Sequence, residues 1–276
     1  MKICLSVLIH LILIVMALVW SLFPIYWVII TSFRHEWEAL AHALIPIPLH
    51  PTFENYIKLI IEDRFYIYLL NSLTVSLGAT LISLIIGSMA SYAITRVGVP
   101  RYVDSLLLLW VLIVRMLPPI VIAIPLFVIL RSLGLIDTRF GLMTAYQVYT
   151  LPYVVWVLLS FFREIPREVE EAALIDGASR FRILFSIMIP IAMPGIIATA
   201  VLSIISTWNE FLYALIFINS PEKFTVTVMV ATYIYEFKIE WGRLAASGLL
   251  SALPVLLLSL YIQKYMVRGL VFGRAV

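Results

Sequence analysis

Six runs of apolar residues, each about long enough to cross a bilayer, constrain what this chain can fold into. They cover roughly residues 5–31, 70–95, 105–130, 141–162, 187–218 and 244–263. A helix needs about 20 predominantly apolar residues to span the hydrocarbon core. The chain has 276 residues, 63% of them hydrophobic and 13% charged, whereas a soluble domain carries about a quarter charged residues. An all-α membrane protein with six transmembrane helices is therefore expected. The runs take up most of the chain and leave no room for a separate soluble domain. Lys2 followed by an apolar run could be read as a cleaved secretory signal. The run continues to Ile30 with no clear small-x-small cleavage site, so an uncleaved first span is expected.

Composition excludes several kinds of chemistry. A net charge of +3 does not point to a nucleic-acid partner, and a single cysteine, Cys4, cannot build a disulfide framework or a cysteine-rich metal site. His10, His35, His42 and His50 show no metal-ligand spacing such as HExxH. The dipeptide Gly-Lys does not occur, so there is no GxxxxGK[ST] phosphate loop. No nucleophile is paired with a base. The chain is expected to have no catalytic residue, metal or cofactor of its own and not to be an enzyme.

Orientation follows from Lys and Arg in the loops. With the N-terminus inside, ten basic residues fall in inside segments, among them Arg96, Arg163, Arg180 and Arg182, and eight in outside segments. The outside segments are longer and hold nine acids. Both termini and the charged loop at 163–186 are thus expected to face the cytoplasm. On this reading residues 1–69 form the first span and an extracytoplasmic loop. Residues 70–270 form the core, with a cytoplasmic loop at about 163–190, and 271–276 form a tail. Within the first outside segment, Pro46, Pro48 and Pro51 lead to an aromatic and charged stretch at 53–68 that suits an interfacial helix lying on the lipid bilayer.

Inside the core, the second span begins with Asn71-Ser72 and contains Gly78, Gly87 and scattered Ser and Ala. Small residues let helices approach closely in lipid, so this span is expected to pack tightly. The third span carries Pro118, Pro119 and Pro125, which would kink it. Kinked helices can line transport sites, although many only shape packing. Two charged residues fall within spans, Arg115 in the third and Glu210 in the fifth, the latter beside Asn209. Such residues usually face a bundle interior or a water-filled path. Each is the other's obvious ionic partner in this chain, and Arg115, Pro118, Asn209 and Glu210 are the candidates for lining a pathway.

Between the fourth and fifth spans lies a charged helix-turn-helix with no lipid to face. Pro166 suits the first helical position, and Glu168, Glu170 and Glu171 fall in the first turns, where the helix dipole favours negative charge. Asp176 tolerates turn geometry and Gly177 can adopt the left-handed backbone that ends a helix. Ser179 can cap a second helix that carries Arg180 and Arg182 and ends near Pro190. Val169, Ala172 and Ala173, with Leu174 beside them, form a stripe at helical spacing, and a merely solvated loop has no need of one.

The run Glu171-Ala172-Ala173-Leu174-Ile175-Asp176-Gly177, followed nine residues later by Ile187-Met188-Ile189-Pro190, resembles the EAA loop (EAA, three residues, Gly, nine residues, I-x-L-P) of permease subunits in ATP-binding-cassette (ABC) importers. Ile189 stands where that pattern has Leu. The resemblance covers roughly residues 70–270. Phe161-Phe162-Arg163-Glu164-Ile165-Pro166, Trp208-Asn209-Glu210-Phe211 and Gly269-Leu270 look like the carbohydrate-uptake, MalG-like branch, while the tail from Val271 departs from it.

The resemblance implies a MetI-like permease fold and a heteromeric complex in the inner membrane. A homologous permease, two ATPase subunits that bind ATP and Mg, and an extracytoplasmic solute-binding protein delivering a sugar would be its partners. It also implies that Glu170, Glu171, Ala172, Ala173, Asp176, Gly177, Ala178 and Pro190 belong to the surface coupled to an ATPase. An importer for another solute, such as a polyamine or phosphate ester, stays open as an alternative. An ion-coupled secondary carrier would need midplane acids and an inverted repeat; Glu210 is a single candidate and no repeat is visible.

Overall fold

The computed structural model describes residues 2–98, 100–234 and 238–272, with side chains at all of these except 2–9, 101, 104, 108, 115 and 261–272. Fourteen α-helices are present among the described residues, and no strand beyond one isolated bridge between Ile234 and Ile239. Four helical stretches are long and apolar enough to cross a membrane: His10–Ser32, Tyr66–Val97, Arg139–Glu164 and Trp241–Leu260. Two further bent pairs bring the number of spans to six if each pair is one span. The tail expected at 271–276 lies, from residue 273 on, outside the described residues.

The chain divides into two compact units. The first, residues 1–66 and 229–253, contains α1 (Lys2–Ser32), α2 (Glu36–Ala41), α3 (Glu54–Ile61) and the opening turns of the last helix. Much of α1 exposes large apolar side chains, as suits a helix in lipid. The stretch at 53–68 contains α3, with Leu59 buried and Ile57, Ile60 and Ile61 exposed. The loop before it is held by Glu38, which accepts backbone N–H bonds from Leu49 and His50. Burial opposes the charge of Glu38, but those two N–H groups and Arg34 outweigh it and lower its pKa.

The second unit, residues 67–228 and 254–276, contains α4 (Tyr66–Tyr92) with a π-helical turn at Ala93–Val97, α5 (Arg101–Met116), α6 (Pro119–Ser132) and α7 (Arg139–Glu164). Next come α8 (Arg167–Ile175), α9 (Arg180–Ile183) with a second π turn at Leu184–Met188, and α10 (Ile189–Ile191). They are followed by α11 (Met193–Trp208), α12 (Leu212–Phe217) and the start of α13 (Val226–Ala231), whose last three residues fall in the first unit. The last helix, α14 (Trp241–Phe272), begins in the first unit and ends in the second.

Helix α7 is the hub of this unit, packing against α5, α11 and α12. The buried face of α4 carries Ser72, Ser76, Ala79, Thr80, Ser83, Gly87 and Ser91. These small residues repeat at three or four positions and let α4 lie directly on α7. At Gly87 an added Cβ would sit 2.6 Å from Val154 of α7. Ser83 donates to Gln147 Oε1 at 2.6 Å, Gln147 Nε2 donates to Ala79 O at 3.0 Å, and Ser91 donates to Val155 O at 3.1 Å. A tight second span is thus present, and Ser83 and Ser91 are satisfied across the helix pair, while the buried hydroxyls of Ser76 and Thr80 have no hydrogen-bond partner.

The third apolar run is broken into two helices bent by 100°. Pro118 and Pro119 disfavour the helical conformation in the residue before each of them, and Leu117 (ψ 132°) and Pro118 (ψ 132°) are accordingly extended. Helix α6 restarts with Pro119 in its first turn, where a missing N–H costs nothing. The fifth run is also interrupted, with α10 and α11 separated at Ala192 and α11 ending at Asn209.

Candidate functional site: the α8–α9 loop and the Glu210 cavity

Helix α8 starts one residue later than Pro166 suits, because Pro166 itself is extended (ψ 140°) and occupies the N-cap. Its C-terminus is closed as the sequence anticipates. Gly177 has φ +79°, its N–H bonds to Leu174 O at 3.0 Å, and the N–H of Ala178 reaches back to Ala173 O at 3.0 Å. That double bond is the Schellman termination, which needs a left-handed residue at Gly177. Ser179 then caps α9, its hydroxyl accepting from Arg182 N at 3.3 Å.

The faces of α8 divide the small-residue stripe in two. Ala173, Leu174 and Ala178 pack inward against a buried cluster of Tyr92, Phe162, Ile165, Ile183, Leu184, Met188 and Ala192. Val169, Glu171, Ala172, Asp176 and Gly177 are exposed. Ile175 is 86% exposed and Phe181 64%, an apolar ridge on an otherwise charged loop. Pro190 is exposed in α10. The structure therefore separates two adjacent glutamates: Glu171 faces out, while Glu170 is only 5% exposed and faces in. Sequence reasoning grouped both with the outward surface. Helical phase explains the difference, because adjacent residues are turned about 100° apart.

Glu170 is held from three sides. The Tyr92 hydroxyl donates to Oε1 at 2.7 Å, Arg180 Nη1 donates to the same oxygen, and Arg96 Nε lies 3.6 Å from Oε2. Arg96, with 4% of its side chain exposed, also donates through Nη2 to Phe162 O at 2.6 Å and to Ile165 O. Neither Tyr92 nor Arg96 was singled out from sequence. Their i, i+4 spacing, from the last residue of α4 into the π turn, was the signal available.

The second candidate region surrounds Glu210. This residue lies in the break after α11 rather than within a helix, because its carboxylate serves the start of α12, accepting from Tyr213 N at 2.8 Å and Ala214 N at 3.2 Å. Its carbonyl accepts from Thr227 Oγ1 at 2.8 Å. Asn209 caps the end of α11, its Nδ2 donating to Ile205 O at 2.8 Å. A cavity of about 220 Å³ opens here, lined by Leu117, Pro119, Tyr149, Ser206, Glu210 and Tyr213 together with Val114, Ile122 and Val148. The hydroxyl of Tyr149 is buried without a hydrogen-bond partner, and the buried hydroxyl of Tyr146 faces Glu210. The Arg115 side chain, expected to pair with Glu210, lies outside the described residues. Glu210 meanwhile has its own partners, two backbone N–H groups. Pro118 is exposed at the α5–α6 break. No group of His, Cys, Asp and Glu suited to a metal ion occurs among the described residues.

Helices long and apolar enough to cross a membrane, with a packed charged loop at α8–α9, suit a membrane permease. The family profile described as binding-protein-dependent transport system inner membrane component matches residues 83–271, and the chain belongs to that family. It is 34% identical to the sulfoquinovosyl glycerol transport system permease protein SmoH of Agrobacterium fabrum, over 93% of this chain and 89% of that one. It is 35% identical to the trehalose/maltose transport system permease protein MalG of Thermococcus litoralis, over 94% and 93%. Among solved structures, a subunit of a bacterial ABC transporter that imports the acidic polysaccharide alginate has the same fold. The TM-score is 0.79 at 21% identity, covering 95% of this chain and 96% of that one.

Proposed function

We propose that this chain is a sugar-translocating permease subunit of an ABC importer in the inner membrane, both termini cytoplasmic. It would pair with a homologous permease and two ATPase subunits and receive solute from an extracytoplasmic binding protein. One observation carries the coupling role: α8–α9 exposes Val169, Ala172, Ile175 and Phe181 on a loop whose inner face is fully packed. An amphipathic helix presenting apolar anchors suits insertion into a groove on another protein. Glu171, Asp176 and Gly177 would lie at its rim, with Pro190 nearby, and Ala173 and Ala178 would set its seat. ATP and Mg would be held by the ATPase subunits, and the permease would carry out no covalent step.

The sugar assignment is supported by relatives named for sulfoquinovosyl glycerol, trehalose/maltose and, at 34% identity in Streptomyces coelicolor, diacetylchitobiose. The Glu210 cavity offers such a solute the Tyr149 hydroxyl, buried without a hydrogen-bond partner, and Ser206 in the same lining. Pro118, Asn209 and Arg115 sit around the same breaks and are proposed to line the path with Glu210.

The test is uptake of radiolabelled disaccharides and glycosides into proteoliposomes holding the full complex, with binding protein and internal ATP. ATP-dependent uptake of at least one sugar is expected. Uptake driven by an ion gradient without ATP would overturn the importer reading, and ATP-dependent uptake confined to polyamines or phosphate esters would overturn the sugar reading.

A further inference from the structure

Four helical segments meet at a single buried charge in the second unit. Glu170 comes from α8, Tyr92 and Arg96 from the end of α4 and its π turn, and Arg180 from the start of α9. Arg96 extends the junction to α7 by bonding the carbonyls of Phe162 and Ile165. Those carbonyls belong to the end of α7 and the residue that follows it, groups a helix terminus leaves unpaired. An apolar contact would hold α8 against the bundle equally well, as Ala173 and Leu174 already do. A buried ionic junction adds directional bonds that fix one orientation, a use best attested where register matters.

We propose that Glu170 is a positioning residue, an internal latch through Tyr92, Arg96 and Arg180 that makes α8 move as one piece with the ends of α4 and α7. This rests on the importer reading and deepens it: Glu171 and the apolar ridge receive the push of the ATPase, and Glu170 passes it to the membrane helices. Arg180 sets the state of the latch. Half of its side chain is exposed while Glu170 beneath is buried, so a partner seated on the loop would cover the guanidinium. Excluding water from that pair would strengthen it, tightening the latch when the ATPase is docked. The adjoining π turn at Ala93–Val97 places Arg96 where it reaches both α7 and α8, in the kind of helix irregularity that often marks functional sites.

The experiment uses the complete complex with its cognate permease and ATPase subunits in proteoliposomes, comparing Glu170→Gln, Tyr92→Phe and Arg96→Met with wild type. ATPase co-purification should be retained in all three. Uptake per ATP hydrolysed should fall by about 2- to 30-fold, the range that mutations along a packed coupling network produce. A second readout needs no transport. With Cys4→Ser, spin labels at Val97→Cys and Glu168→Cys, both exposed, report the spacing between α8 and the π turn after α4, and Glu170→Gln should broaden that distance distribution. An unchanged uptake ratio together with an unchanged distribution overturns the latch. Loss of ATPase binding by Glu170→Gln, but not by Tyr92→Phe or Arg96→Met, would place Glu170 on the docking surface and also overturn it. If Glu170→Gln does not insert, Tyr92→Phe, which deletes one hydroxyl, decides the question by the same two readouts. A wild-type complex without ATP-dependent uptake would refute the importer reading instead, while the spin-label result would still decide the latch.

Discussion

Gly177 permits a test in which backbone conformation and side-chain bulk make opposite predictions. Its φ is +79°, and a Cβ built there meets no atom within 4 Å. Any cost of substitution is therefore conformational and none of it is crowding. Placing an L-residue in the left-handed region costs about 1–2 kcal/mol. Asn is more readily accommodated there than other residues, and β-branched residues are genuine outliers. Gly177→Asn should accordingly be mild, Gly177→Ala should cost about 1 kcal/mol and Gly177→Val about 2 kcal/mol or more. A loss of that size changes a two-state ratio by about 5- to 30-fold. It would fall on the two bonds of the α8 terminus, Gly177 N to Leu174 O and Ala178 N to Ala173 O. The global fold should survive, since no core contact is lost, while α8 is presented at the wrong angle. Uptake and ATPase co-purification, measured at matched membrane levels, should rank wild type, Asn, Ala, Val. If bulk governed the site, Asn would be worse than the smaller Ala. That order, or wild-type uptake by a stably inserted Gly177→Val protein, would refute the reasoning.

Three further outcomes follow from the geometry. Glu171 is exposed and an exposed ion pair contributes only about 0–1 kcal/mol; Glu171→Gln should retain most ATPase co-purification, and Glu171→Lys should lose it if a basic group faces this position, equal co-purification arguing against a charge role. Glu210→Leu strands the N–H groups of Tyr213 and Ala214, at about 1–3 kcal/mol for each donor left unsatisfied, whereas Glu210→Gln keeps an acceptor; a lower melting temperature in detergent for Leu than for Gln is expected, and equal values would count against the cap. Asp137 accepts from Lys223, the Ser220 hydroxyl and the N–H groups of Ser220 and Asn219, and the Lys223 ammonium first among these depresses its pKa. A depressed carboxylate pKa gives stability that is present above the unfolded value of about 3.9 and is lost as pH falls through the folded value. Asp137→Asn should thus lower the melting temperature at pH 7 and reduce its dependence on pH below about 4, while a loss confined to pH 5–8 would contradict the assignment.

The sequence made some parts of this fold legible because their causes are local. Spans are visible as apolar length, and the α8 terminus is visible because few residues other than Gly suit its left-handed turn. The close α4–α7 contact could be anticipated from small residues spaced by three or four. Other features depend on contacts far apart in the chain. Glu210 looked like a charge within a span because hydropathy cannot register that α11 stops at Asn209 and that the carboxylate is spent on the N–H groups of α12. Pro118 and Pro119 looked like a kink, yet two consecutive prolines restrict two preceding residues and separate α5 from α6. The adjacent pair Glu170-Glu171 shows where local reasoning ends. Both acids suit the first turns of a helix by the same dipole argument, and both lie in or beside the motif. They differ only in which way the helix is rotated against its neighbours. That rotation is set by Ala173, Leu174 and Ala178 docking on Phe162, Ile183 and Met188. Once it is set, Glu170 is turned towards Arg96, 74 residues earlier in the chain, and Glu171 towards solvent. A motif can thus mark the residues that matter while leaving unresolved which of them face the partner and which hold the loop in place.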